Sequence, residues 1–307
     1  MNDPRFTLVQ LRYFAAAAEH LSMTTAARQL MVSQSAISTA VAQLERDLGV
    51  QLMLRHHARG LTLTAAGESF HQEVKSFLAH GAELAESARA AGATLSGSLS
   101  VGCFSTLGPF ELPRLLTAYT EAHPSVAIAV QEAEHAALKD LLRQARCEVA
   151  LMYGYDLDDD IETTLVRVVP PYVLLGERHP LARRKSISLA ELADEPMVLL
   201  DLPHTAAYMR SVMTSNGVEP QIRHRTAGYE TVRALVAHGQ GFSILNQQPA
   251  HDLTYDGTRV VALRIRDEIA PLNLVVATLK GVRLTARARA FIKTCTSVAG
   301  RPGRSAS

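Results

Sequence analysis

Apolar positions in the first 49 residues recur at helical spacing in three successive runs. Leu8, Leu11, Ala15 and Ala18 make one stripe, and Ser22 or Thr24 is placed to cap a second helix. The third run, Gln34 to Leu48, carries Ile37, Val41, Leu44 and Leu48 on one face of a helix. The stretch "QLMLRHHARGLTLT" has Gly60 at a turn between two short apolar segments, which predicts a small two-stranded wing. Residues 65–94 read as one long helix in which Phe70, Val74, Phe77, Gly81, Leu84, Ala88 and Ala91 repeat as in a coiled-coil seam. The same pattern also fits an amphipathic helix packed on its own domain. From Ser96 onward short strand-like runs ("SGSLSVGCF", "CEVALMYGY", "EPMVLLDLP", "NLVVATL" among them) alternate with helical segments. That alternation predicts α/β units with largely parallel sheets, with Pro170-Pro171 and the Pro271 region as crossings between two lobes.

Opposite the apolar stripe of the third helix stand Ser35, Ser38, Thr39, Ala42 and Arg46. A solvated helix would carry Glu and Lys there; this face is short-chained and nearly uncharged, so it can lie close against another surface. With the brief break "MVS" before it, the arrangement predicts a helix-turn-helix whose second helix enters the DNA major groove. Ser33 is the natural N-cap. Gln34 offers the donor and acceptor that adenine recognition needs, and Ser35, Ser38 and Thr39 can reach bases or phosphates. Arg55 and Arg59 on the wing suit backbone or minor-groove contacts, and Thr25 and Gln43 complete the candidate DNA-binding set. Spacing alone leaves an ordinary three-helix core open as the other reading.

The residues themselves resemble those of a known family. Leu11 and Phe14, Ala26-Ala27 and Leu30, Ser33-Gln34, Ile37-Ser38, Leu44-Glu45, Leu48-Gly49, Leu52, Arg55, Leu63-Thr64 and Gly67 together resemble the LysR-type transcriptional regulators of bacteria. Met53 departs from the pattern, standing where the family usually has Phe; both fill an apolar site. The resemblance runs from about residue 7 to 295, and its specific part is the first 67 residues. It implies an α/β multidomain chain: a winged helix-turn-helix (1–64), a dimerising linker helix (65–95) and a two-lobed, periplasmic-binding-protein-like α/β effector domain (96–300). Lobe I would comprise 96–169 and 272–300, lobe II 170–271, and 301–307 a disordered tail. It further implies a homodimer or a tetramer built from two dimers, acting on double-stranded DNA at an inverted-repeat operator.

In a two-lobed α/β domain, ligands bind between the lobes, at carboxyl ends of strands and amino ends of helices. That logic selects Phe104, Ser105 and Thr106, then Tyr153, His204, Thr205, Tyr229 and Asn246 as effector-binding candidates. Two helix starts, Ser105-Thr106 and His204-Thr205, would favour an anion, so a small carboxylate carrying a ring is the expected effector. For each residue singly, a cap, core or surface role fits as well as ligand contact.

Composition adds limits. The chain has 307 residues, 47% of them hydrophobic, enough for two or three cores. Net charge is +1; the first 64 residues carry six Arg against four acidic residues, a weak bias toward nucleic acid. No apolar run is long enough to span a membrane, and the N-terminus lacks the pattern of a secretory signal, so a cytoplasmic protein is expected. Cys103, Cys147 and Cys295 are odd in number and far apart, which argues for buried thiols over disulfides or zinc. His56-His57 lacks metal-ligand neighbours, "DLDDD" lacks the calcium-loop pattern, and Ser243 lacks the nucleophile-elbow spacing. No cofactor and no catalytic residue is expected. The other readings to weigh are an enzyme or a small-molecule-binding protein with an accessory DNA-binding domain.

Overall fold

The computed structural model describes residues 6–56, 60–89 and 95–299, with the backbone alone at 55, 56, 83, 85–89 and 299. The tail at 301–307 and Arg59 lie outside the described residues. The chain forms two compact units, which are taken in turn.

The first unit is built from α1 (Leu8–His20), α2 (Met23–Leu30), α3 (Gln34–Leu48), β1 (Met53–His56), β2 (Gly60–Leu63) and α4 (Ala65–Arg89). Short polar residues start each of the first three helices. Thr7 and Gln10 form a reciprocal capping box on α1. Ser22 accepts from Thr25 N at 3.2 Å, and Ser33 accepts from Ala36 N at 3.1 Å. Left-handed residues end them: Leu21, Met31 and Gly49. The turn between α2 and α3 is therefore tight. Ile37, Val41 and Leu44 are buried as the spacing predicts, whereas Leu8 is exposed and Phe14 is the fully buried centre of α1. Phe14 meets Phe70 of α4 with ring centroids 5.3 Å apart.

Two features of this unit tie the wing to the helices. Glu45 Oε1 accepts from Leu52 N (2.8 Å) and Met53 N (2.9 Å), satisfying both amides where the chain leaves α3 for β1. Gly67 packs against the same place: a Cβ there would sit 1.9 Å from the Leu52 carbonyl oxygen, so only glycine fits. The strands pair antiparallel from Met53↔Leu63 to His56↔Gly60, which puts Gly60 on β2 and not in the turn. Phe70 and Val74 join the core of this unit, so they do not belong to a free seam. Phe77 and Leu84 remain 53% and 73% exposed. Of the other seam positions, Gly81 is exposed, the side chain of Ala88 is not described, and Ala91 lies outside the described residues.

Among the described residues the second unit has two larger sheets and a two-stranded pair. The first orders its strands β4-β3-β5-β13-β6, from β3 (Gly97–Phe104), β4 (Val126–Ala133), β5 (Val149–Tyr153), β6 (Ile161–Val169) and β13 (Leu272–Leu279). α5 (Gly108–Ala122), α6 (His135–Arg143) and α9 (Ala286–Ala299) accompany it. The second orders β11-β7-β12-β8, from β7 (Tyr172–Gly176), β8 (Ser186–Ile187), β11 (Ser243–Leu245) and β12 (Val260–Ile265). A parallel bridge, Met197↔Phe242, joins it to the pair β9 (Pro196–Leu200) and β10 (Gln221–Thr226). α7 (Thr205–Thr214) and α8 (Tyr229–Ala237) belong here.

The sheets are mixed, not largely parallel. β3–β5 and β9–β10 run parallel, but β13 is antiparallel to both its neighbours and β7 to β11 and β12. The returning strand causes this: β13 re-enters the first sheet after the chain has crossed into the second. The crossings fall at Pro170-Pro171 and between Ile265 and Leu272. The spacing did not reveal β8, β10 or β12; β8 has only two residues, and polar residues dilute the apolar signal of β10.

Glu45→Ala should leave two partly buried amides without an acceptor and cost the first unit about 1–3 kcal/mol. Urea unfolding of the variant measures this; a midpoint equal to the parent's would mean that water replaces the carboxylate freely.

Candidate functional site

Two places in the molecule gather the candidate residues. On α3, Gln34, Ser35 and Thr39 are exposed, and Ser38 is half-buried beside them. No acidic residue occupies the first turn, so the helix amino end keeps its partial positive charge for a phosphate. Ser33 sits at the N-cap with its hydroxyl spent on Ala36 N and placed 2.9 Å from the Ser35 hydroxyl. Gln43 is turned to its own helix, donating to Asp47 Oδ1 and accepting from Arg46, both at 2.7 Å. Thr25 is exposed in the first turn of α2. Of Arg55 only the strand backbone is described.

The second place is a narrow cleft between the two larger sheets of the second unit. Thr106 in the turn after β3, Tyr153 at the end of β5 and Tyr155 just beyond it come from one side. Thr205 and Tyr208 of α7, Tyr229 at the start of α8, and Asn246 and Gln247 after β11 come from the other. These are strand carboxyl ends and helix amino ends, where α/β folds bind ligands. Tyr155 stacks on Tyr208 with centroids 6.4 Å apart and planes 20° apart.

Three expected residues are not in the wall. Phe104 is fully buried behind it, its ring meeting Tyr153 edge-on at 5.7 Å. Ser105 spends its N–H on Ala133 O and its hydroxyl on Glu134 Oε1 at 2.7 Å. His204 adopts φ 65°, and its Nδ1 lies 2.7 Å from Asp156 Oδ2. Thr205 N–H, which was to greet an anion, donates to Pro203 O at 2.8 Å. The helix α5 starts at Gly108 with Leu107 as cap, so Ser105-Thr106 is a turn and not a helix start. The anion cradle of two helix ends is thus not formed. Tyr155, Tyr208 and Gln247 were missed. Tyr155 lies two residues past Tyr153, and Tyr208 one helical turn past Thr205, so both spacings could have found them.

Residues 8–68 match the bacterial regulatory helix-turn-helix protein, lysR family, and residues 92–300 match the LysR substrate binding domain. The chain belongs to the LysR family. It is a DNA-binding transcriptional regulator with an effector-binding domain, and the family is one of regulators, not enzymes. The regulator OxyR of Escherichia coli K12 is 30% identical over 237 residues, 76% of this chain and 77% of that protein. The structure of HinK, a LysR family regulator from Pseudomonas aeruginosa, is 34% identical with a TM-score of 0.65, covering 95% of this chain and 98% of that one. Full-length CbnR complexed with its target DNA is 26% identical with a TM-score of 0.57, covering 96% and 100%.

In this LysR regulator a buried polar network stands behind the cleft. Glu111 of α5 is buried and accepts from Arg167 at 2.5 Å and Arg114 at 3.0 Å. Arg167 also donates to Gln247 Oε1 at 3.2 Å, and Gln247 Nε2 donates to the Tyr153 hydroxyl at 3.0 Å. The Gln247 carbonyl accepts from Tyr172 at 2.7 Å and from Tyr229. Burial pushes the Tyr172 phenol up to about 12 and those of Tyr153 and Tyr229 higher still, so all three stay neutral, Tyr172 and Tyr229 as donors and Tyr153 as acceptor. Glu111→Gln keeps the shape but removes the charge both arginines answer. It should cost this unit about 1–3 kcal/mol, read as a lower urea midpoint; no change would show that Arg167 holds Gln247 without Glu111.

Proposed function

We propose that residues 1–64 form the DNA-reading domain, 65–95 the pairing helix and 96–300 the effector domain, with lobes at 96–169 plus 272–300 and at 170–271. The α3 face carries this reading: Gln34, Ser35 and Thr39 stand exposed on a helix whose opposite side is core. Gln34 reads a base edge, Ser35, Ser38 and Thr39 reach bases or phosphates, and Arg55 and Arg59 hold the duplex backbone. Thr25 contacts phosphate from α2. Ser33 and Gln43 position the helix through its cap and its Asp47 and Arg46 bonds.

Gln34→Ala should cost about 1–3 kcal/mol at the cognate site and relax preference at one base pair. Arg55→Ala should weaken binding to all sequences and reduce the salt slope by about 1. Titrations on cognate and scrambled duplexes at several salt concentrations separate these; equal losses on every duplex for both variants would reverse the assignment.

The protein works as a homodimer or a tetramer of dimers on an inverted-repeat operator in the cytoplasm. Exposed Phe77 and Leu84, one heptad apart on α4, support pairing through that helix. Among the described residues no helix is long and apolar enough to cross a membrane, in keeping with that compartment. A Phe77→Glu, Leu84→Glu double variant should run as monomer in light scattering, and an unchanged mass would place the interface elsewhere.

The effector binds in the cleft lined by Thr106, Tyr153, Thr205, Tyr229 and Asn246, and it differs from the signal in the name of the hydrogen peroxide-inducible genes activator of Escherichia coli. Peroxide chemistry needs an accessible thiolate. Cys103, Cys147 and Cys295 are all buried, and burial, with Glu111 nearby, pushes the Cys295 thiol up to about 12 and Cys103 higher.

A further inference from the structure

The lining of the cleft contains neither a cationic nor an anionic side chain. Of the ionisable groups behind the lining, Arg167 pairs with Glu111, Arg233 with Glu230 and Asp156 with the His204 ring, while Glu134 accepts from the Ser105 hydroxyl. A ligand entering with a net charge of either sign would lose hydration and meet no counter-charge among the lining side chains. The phenols report the same desolvation: burial pushes Tyr155 up to about 12 and raises Tyr208 as well. What disfavours phenolate there disfavours a carboxylate by the same cause.

The wall does contain unspent hydrogen-bonding capacity. Tyr155 Oη, Thr205 Oγ1 and Asn246 Oδ1 are buried and lack a hydrogen bond of normal geometry. Tyr155 and Thr205 are neighbours, and since a hydroxyl both donates and accepts, each keeps capacity beyond what the other could take. Thr205 and Asn246 are themselves more than nine-tenths buried. Asn246 Nδ2 is committed to Val169 O at 3.1 Å, which leaves its Oδ1 as an acceptor with nothing to accept. Buried polar atoms without partners are uncommon in native proteins and call for an explanation. Here three of them line one cleft, among four tyrosine rings and Met209.

We propose that the effector is an uncharged, flat aromatic molecule of one or two rings bearing a carboxamide-like pair: an N–H or O–H for Asn246 Oδ1, and a carbonyl for the hydroxyls of Tyr155 and Thr205. This rests on the reading of the cleft as the effector site. The rings supply stacking and edge contacts, and the ligand enters by parting the two walls of a narrow cleft. A carboxylate would set a negative oxygen against the Asn246 acceptor, and an ammonium would leave both hydroxyls without a carbonyl to bind.

The test uses the full chain and three near-isosteric probes: benzamide, benzoate and benzylamine, each with its naphthalene homologue. Thermal shift and calorimetry should show the amides raising Tm while both charged series leave it unmoved. Tyr155→Phe and Thr205→Val should each weaken the amide about tenfold. Each should leave the ligand-free Tm level or slightly higher, because it deletes a buried polar group that has no partner. Benzoate or benzylamine binding more tightly than benzamide, with both substitutions weakening it, would overturn the ligand class and keep the cleft. Amide binding that ignores both substitutions would overturn the cleft itself. No shift with either amide at millimolar concentration would overturn the proposal as well.

Discussion

Gln247 is the point on which the cleft depends. It follows β11 in the second sheet, yet its side chain bonds to Arg167 and Tyr153 of the first. Its carbonyl accepts two phenols from its own side, Tyr172 and Tyr229. A buried amide with this many partners is stable only when all of them are met, since each missing bond leaves a desolvated group. The geometry of the wall follows. Tyr153 and Tyr229 are pinned through their hydroxyls, so their rings line the cleft in fixed places. Tyr155 and Thr205 have no such tie, and their hydroxyls are left over. Glu111 stabilises the far end: it is the buried partner, and the half-buried Arg167 that answers its charge also donates to the Gln247 side chain.

The DNA-reading unit solves a different problem with smaller means. Its helices are short, and short helices gain little from propensity alone. Side-chain caps at Thr7, Ser22 and Ser33 close their amino ends, and left-handed residues close their carboxyl ends. The core then needs one more wall, which the first turns of α4 supply through Phe70 and Val74. That use has a consequence for assembly. The seven-residue repeat on α4 serves two surfaces in succession, the inside of its own unit at Phe70 and Val74 and then an exposed face at Phe77 and Leu84.

Much of this was legible in the sequence where one face of an element is buried and the other polar. Ile37, Val41 and Leu44 announced α3, and Ser33 announced its start, because period and cap are local signals. Ser35, Ser38 and Thr39 were legible as a short-chained face for the same reason. The seam was misread at Phe70 and Val74 because periodicity says that a residue is buried and is silent on what buries it. The cleft was legible only in outline. Topology rules place a ligand at strand ends, and that found Thr106, Tyr153, Thr205, Tyr229 and Asn246. They cannot say which backbone N–H groups are already taken, and the bonds of Ser105 to Ala133 and Thr205 to Pro203 decide against an anion cradle. Gln247 was invisible because its partners, Arg167 and Tyr153, are 80 and 94 residues away along the chain.

The same network bears on how a ligand could change the state of the protein. The chain crosses between the sheets twice, at Pro170-Pro171 and between Ile265 and Leu272, so the sheets can turn about two nearby strands. Against that freedom stands the Gln247 node, a few hydrogen bonds worth about 1 kcal/mol each. Such a restraint is modest enough for a small molecule to outweigh. A ligand shifts a two-state balance only by the difference in its affinity for the two states, and reversing a 1:99 preference takes about 5.5 kcal/mol. Contacts made equally in both states contribute nothing to that difference. A molecule that bonds Thr205 and Asn246 on one side and Tyr155 on the other reaches both sheets at once. Their unspent bonds are therefore the part of the site best able to distinguish one lobe angle from another.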